Sequence, residues 1–557
     1  MRKIRVISVL STLLVLLIGT WAQAAPRGGN DYGIPQVAKI NEEIKLVWQD
    51  YGITKSSPAL ESKWVRRLFL DILGRVPSVD EINQYNRDRS RDRRKNLVES
   101  LLYDESYTEE YARNWTTIWT NTLIGRNGGT DDDSEINRAG MQKYLRDSMA
   151  RNKPYDQMVR ELITAEGANT PGMPNFNGAV NFYMDKLAED GVQATAKTSQ
   201  IFLGLQVQCT QCHNHPFNEW KQNKFWEMNA FFRQTRAVRL RGMEADGGGM
   251  AMELKNVSFR GEGGNIEEAD IYYEERSGLM KVAFPTFLDD TEIPRSGDLS
   301  KVNRREELAK FVVDSPFLQD AIANRMWGHF FGYGFTKPVD DMGPHNRPTH
   351  PELQTYLGQE VRKSSFNLKE LIKWITLSEA YGLSSKINKG NKIDDPTVGE
   401  PPKFSHFYLR QMQAEELYES LIVATQAHKT RGGYEEQERE KAKWMSQFVV
   451  AFGTDEGDAS TTFNGTIPQA LMMFNGELVN AAISAKQGSF IQSLAQDGKD
   501  PKEAINHLYM ATISRRPTKK EVEAANYLLQ SHKGNTVAAL QDIFWALLNS
   551  NEFILNH

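Results

Sequence analysis

Five apolar side chains, Val65, Leu68, Phe69, Ile72 and Leu73, recur at i, i+3, i+4, i+7 and i+8. That spacing turns all five to one face only in a helix. Leu368, Leu371, Ile372 and Ile375 repeat the pattern, as do Val537, Leu540, Phe544, Leu547 and Leu548 near the C-terminus. One stretch, 236–299, breaks it. "LRGMEADGGGMAMELKNVSFRGEGG" is rich in glycine, and "ADIYYEERSGLMKVAFPTFL" alternates around Ser277-Gly278, the mark of a hairpin. The pattern predicts a mainly α fold: two helical-bundle domains, 37–235 and 300–557, with a small Gly-rich β-hairpin insert at 236–299 between them. With 40% apolar residues and eleven tryptophans, the chain can bury cores of that size.

The two ends of the chain echo each other. "LFLDILGRVPSVDEI" (68–82) aligns without a gap on "LYMATISRRPTKKEV" (508–522). Each is an apolar helix end followed by an arginine, a proline and a capping box, Ser78-x-x-Glu81 in one and Thr518-x-x-Glu521 in the other. Proline with a capping box is a common way to turn between helices; an old duplication is the other reading.

Residues 1–24 stand apart. Arg2, Lys3 and Arg5 precede an apolar run from Val6 to Ile18, and "AQA" ends at Ala24. This is the form of a secretory signal, cut between Ala24 and Ala25, and places the protein in the periplasm or outside the cell. No other segment is long and apolar enough for a membrane span after signal removal. Losing the signal takes three positive charges, moving the net charge from −5 to −8. An acidic balance gives no footing for nucleic acid.

Export bears on the cysteines, because thiols outside the cytoplasm are normally oxidised or ligated. Both lie in "QCTQCHNHPFNEW" (208–220), where Cys209-x-x-Cys212-His213 is followed by His215. Several chemistries fit. C-x-x-C-H is the haem c attachment unit: two thiols to add across vinyl groups and a histidine to bind iron. His213 and His215 with the thiols suggest a divalent metal instead, although four ligands so close in sequence close poorly around tetrahedral zinc. A C-x-x-C disulfide, redox-active or structural, also fits. The preceding "TAKTSQIFLGLQVQ" predicts a helix through Ile201, Leu205 and Gln208 into the motif. Met243, Met250 and Met252 are within reach as a sixth iron ligand. Phe217, Trp220, Phe225, Trp226, Phe231 and Phe232 are either core or the wall of a haem pocket.

A second cluster gathers His329, Asp340, Asp341, His345 and His350. Carboxylate with histidine suits a hard or borderline metal, with His329 and His350 as ligands. The structural alternative has Thr349 capping a helix that begins at Pro351, and the two aspartates satisfying loop backbone. Either way, their apolar neighbours place His329 and His350 partly buried and close together. Arg410, Glu415 and Glu416 in "FYLRQMQAEELYESL" read as a solvated, ion-paired helix face. Nucleophile-elbow, phosphate-loop and dinucleotide fingerprints are absent from the sequence.

"FLGLQVQCTQCHNHPFNEW" with "LDILGRVPSVDEI" resembles the exported, planctomycete-specific cytochrome-like family catalogued as domain of unknown function 1549. "ANRMWGHFFGYGF", "PVDDMG", "THPELQTYL" and "FYLRQMQAEEL" resemble its usual partner, domain of unknown function 1553. Together the matches run from about residue 37 to the end. The resemblance maps onto Cys209, Cys212, His213, His215 and Trp220, then Asn324, Arg325, His329 and His350. Asn214 and Asn218 stand where the family pattern has aspartates. The family has no settled activity; its name implies haem c and electron transfer or another redox role, with other exported redox or polysaccharide-degrading proteins as partners. An exported metal-dependent enzyme, or a helical scaffold with a structural disulfide, remain the competing readings.

Overall fold

The apolar stripes become buried helix faces. Val65, Leu68, Phe69, Ile72 and Leu73 are all buried on helix Glu61–Leu73, which Gly74 ends in the left-handed conformation at φ 68°. Leu368, Leu371, Ile372 and Ile375 are buried on Leu368–Thr376, and Leu540, Phe544, Leu547 and Leu548 on Thr536–Leu548. The computed structural model describes residues 30–218, 220–240, 249–453, 466–496 and 500–557. The expected signal at 1–24 and Met243 lie outside them. The fold is mainly α, 55% helical, with small strand pairs.

Residues 31–557 form one compact unit. Its two large hydrophobic cores part elsewhere than at the Gly-rich insert, whose hairpin adds a small third cluster with Ala230. The first runs from Val37 to Tyr408, because helices Arg304–Asp314 and Pro351–Lys363 pack back onto Tyr155–Thr164 and Pro35–Asp50. The second takes Met412 to Phe553 and reaches forward to Leu70 and Val76.

The insert carries the strands the alternation predicts. Ile271–Glu274 pairs antiparallel with Met280–Ala283 around Gly278, whose φ of 83° requires a left-handed turn residue. Thr235–Arg239 and Gly167–Ala168 flank Met252–Asn256 in a three-stranded sheet.

The echo between the chain ends is structural as well. Arg75 donates through Nε and Nη2 to Glu110 and through Nη1 and Nη2 to Glu81; Arg515 makes the same four bonds to Glu552 and Glu521, atom for atom. Both capping boxes are present, and Gly74 and Ser514 take the same left-handed turn. The second glutamate comes from a later helix in each case, so the likeness extends past the turn itself.

Helix Glu61–Leu73 also carries Asp71, which has no exposed surface. Its Oδ1 accepts from Arg410 Nη2 and Asn556 Nδ2, and its Oδ2 from the Tyr381 hydroxyl at 2.6 Å. A short strand pair, Arg410–Gln411 with Leu555–Asn556, brings both donors to it.

Candidate functional site

The helix before the motif stops early. Ala188–Leu203 ends at Gly204, at φ 66°, where a Cβ would meet Met342 Cε at 2.6 Å. Leu205 and Gln208 therefore leave the expected helix; Cys209 sits on a separate 3-10 turn, Gln208–Gln211, and Cys212 caps its end. The turn is anchored from a distance. Met342 N donates to Gly204 O at 2.7 Å, while Gln200 and Gln206 side chains donate to Asp340 at 2.9 and 3.0 Å. His215 lies against His345, with ring centres 5.4 Å apart, and His345 Nε2 donates to Asp341. The two clusters seen separately in the sequence thus meet, through Asp340, Asp341 and His345.

Both thiols are exposed and unbonded. Burial pushes the Cys209 thiol up, with a contribution from Asp341. A redox-active C-x-x-C pair needs the opposite shift, toward thiolate. His213 is exposed, and its Nδ1 lies 2.7 Å from Asn214 O. A carbonyl only accepts, so Nδ1 carries the proton and Nε2 presents its lone pair outward, the tautomer a ligating histidine uses. His215 is the reverse. Its Nδ1 accepts from Phe217 N and Asn218 N at 3.2 and 3.1 Å, which puts the proton of the neutral ring on Nε2. Burial and then His345 lower its affinity for a second proton. In this form His215 offers no free nitrogen to a metal. Among the described residues, no group of three or more His, Cys, Asp or Glu side chains is placed to hold a metal ion.

An open groove of about 520 Å3 adjoins Cys212 and His213, with Trp226 and the 274–276 segment on its other side. Trp226 stacks on Tyr273, ring centres 5.9 Å apart. The other aromatics divide: Phe225, Phe231 and Phe232 are core, whereas Phe217 is 78% exposed. Met252 is buried on its strand and Met250 packs against the first core, so neither lies on a free loop.

The histidines of the second pair make no ring contact with each other among the described residues. His329 ends helix Pro316–Phe331, with its ring 5.0 Å from that of Trp115 and Nε2 3.2 Å from Asp71 O. His350 sits between Phe335 and Phe404, and its Nδ1 bonds the Thr349 hydroxyl. The two share no ring neighbour among the described residues. Burial lowers both, His350 to about 4. His350, rather than Thr349, is the cap residue of Pro351–Lys363, and Asp340 serves side chains rather than loop backbone.

Arg410 and Glu416 require a larger correction. Instead of a solvated face, Arg410 is buried on Asp71, and the half-buried Glu416 lines a half-open cavity of about 330 Å3 between helix Thr108–Ile124, the end of Pro316–Phe331, the 332–340 loop and the start of Ala414–Thr425. Burial raises the Glu416 carboxyl to about 7, against the pull of Arg410. Of the expected ion pairing, Glu415 keeps its share, bonded to Arg126 at 2.8 Å. Gly328 and Gly334 set the loop's approach, since a Cβ on either would meet Val339 Cγ1 within 3 Å. Periodicity gave no hint of this cavity; the one available signal is the Gln413-x-x-Glu416 box, which turns Glu416 back onto Gln413 N.

No helix among the described residues is long and apolar enough to cross a membrane. No curated protein and no solved structure was found to match the chain. Residues 39–237 match the family described as protein of unknown function (DUF1549), and residues 304–529 that described as protein of unknown function (DUF1553). The chain belongs to the family in which a DUF1549 region is followed by a DUF1553 region.

Proposed function

We propose that the protein is an exported c-type haem protein with an electron-transfer or related redox role, its haem carried by Cys209, Cys212 and His213. One observation carries the reading: two exposed, unbonded thiols share a turn with a histidine whose Nδ1–H is held by Asn214 O. The donor set fits the group. Haem, when bound, supplies one-electron chemistry at iron. The chain's part is to offer two thiols for thioether bonds and to orient Nε2 of His213. Asp341, His345 and His215 hold the neighbouring loops together, and Arg276 stands at the groove edge as a cation for a propionate. The raised Cys209 thiol speaks against a redox-active disulfide, the unbonded sulfurs against a structural one, and the His215 tautomer against the metal reading. Other exported redox proteins are the partners this role calls for.

The test is an absorption spectrum of protein secreted from a host with the haem c maturation system. Sharp reduced-state bands that survive acid–acetone extraction support the proposal. A colourless protein from a competent host overturns it.

A further inference from the structure

The cavity beneath the 332–340 loop shares Asp340 with the anchoring of the C-x-x-C-H turn, and its chemistry does not depend on what that turn carries. Its arginines are matched by carboxylates: Arg126 by Glu415 at 2.8 Å, Arg325 by Asp340 at 3.9 Å, and Arg410 by Asp71. Lys337 is exposed at the rim, its Nζ over the Tyr333 ring. A charged ligand entering this space would give up hydration without meeting surplus opposite charge. Ile118, Tyr333 and Val339 supply apolar wall. Against that stand two polar atoms with no hydrogen bond among the described residues. One is Nδ1 of His329, left as the bare acceptor because Nε2 donates to Asp71 O. The other is the second oxygen of Glu416, whose first accepts from Gln413 N at 2.9 Å.

We propose that this cavity binds a small uncharged molecule carrying an amide or hydroxyl group on a ring-sized apolar body, its N–H or O–H donating to His329 and its oxygen accepting from Glu416. The protonation states agree. Burial keeps His329 neutral and holds the proton on Glu416 up to about 7, so an acceptor nitrogen and a donor O–H coexist just below neutrality. A volume of about 330 Å3 suits a single ring with a polar substituent.

Three probes of one shape and different charge test the class: benzamide, benzoate and benzamidinium, each titrated into the mature protein at pH 6.5 with ligand-observed NMR. Benzamide is expected to bind at about millimolar Kd, and the two ions roughly fivefold or more weaker. Ile118→Trp fills the space and should abolish benzamide binding. His329→Phe keeps a ring against Trp115 while removing the acceptor, and should weaken benzamide about tenfold. Circular dichroism checks both variants, and His329→Phe carries the test if the tryptophan variant does not fold. Equal affinity for the three probes, tighter binding of either ion, benzamide binding unchanged by His329→Phe, or no benzamide binding at tens of millimolar would each overturn the proposal.

Discussion

The exposed C-x-x-C-H turn and the half-open cavity beside His329 are built on opposite principles. The turn's chemistry is local: Cys209, Cys212 and His213 lie within one short stretch, open to solvent, and His213 leans only on its neighbour's carbonyl. The cavity is assembled from afar. Asp71 and Asn556, 485 residues apart, meet beneath it, and Asp71 also holds Arg410 and Tyr381 there. The lesson is that the turn can change its chemistry at little cost to folding, whereas the cavity's chemistry and the fold's stability are one network.

The largest effect expected from that contrast is at Asp71. Asp71→Ala leaves the buried Arg410 without its carboxylate and Tyr381 and Asn556 without an acceptor, and should cost about 3–5 kcal/mol in urea unfolding. A loss under 1 kcal/mol would break the comparison. Next comes Glu416. The unfolded side chain ionises at the ordinary glutamate value of 4.5, the folded one at about 7. Stability relative to a titration-silent residue is therefore full below pH 4.5 and falls as pH rises through 7. Glu416→Gln removes that fall and should be about 3 kcal/mol more favourable relative to wild type at pH 8 than at pH 4; parallel pH–stability curves would contradict the burial of this carboxyl. The smallest effect belongs to the turn. His213→Ala should move stability of the haem-free chain by less than about 0.5 kcal/mol, as an exposed substitution does, while removing the iron ligand.

How much the sequence disclosed follows the same division. Helical stripes such as Val65–Leu73 and the hairpin at Ser277-Gly278 are written in neighbouring residues, and so was the arginine–capping-box echo, although its second glutamates, Glu110 and Glu552, show only in space. The helix stop at Gly204 was missed because Leu205 continues the apolar spacing; Met342, from the other region, decides that backbone. Arg410 and Glu416 looked like a solvated face because a charged pair near a helix start usually is one. What buries them is a two-residue strand pairing with Leu555–Asn556, a contact no local period can express. The apolar neighbours of His329 and His350 predict partial burial, and His329 is half-buried and His350 buried, but their separate ring neighbours, Trp115 for one and Phe404 for the other, depend on how the helices pack.

The central claim, that the turn is a covalent haem site, meets its most direct test in the intact mass of the secreted protein matured with the haem c system, wild type beside Cys209→Ala/Cys212→Ala. A covalent haem predicts a wild-type chain beginning at Ala25 and heavier than its polypeptide by one haem, and a double variant at the bare polypeptide mass with the same N-terminus. A wild type at the bare mass, or two hydrogens lighter as a Cys209–Cys212 disulfide, would contradict it.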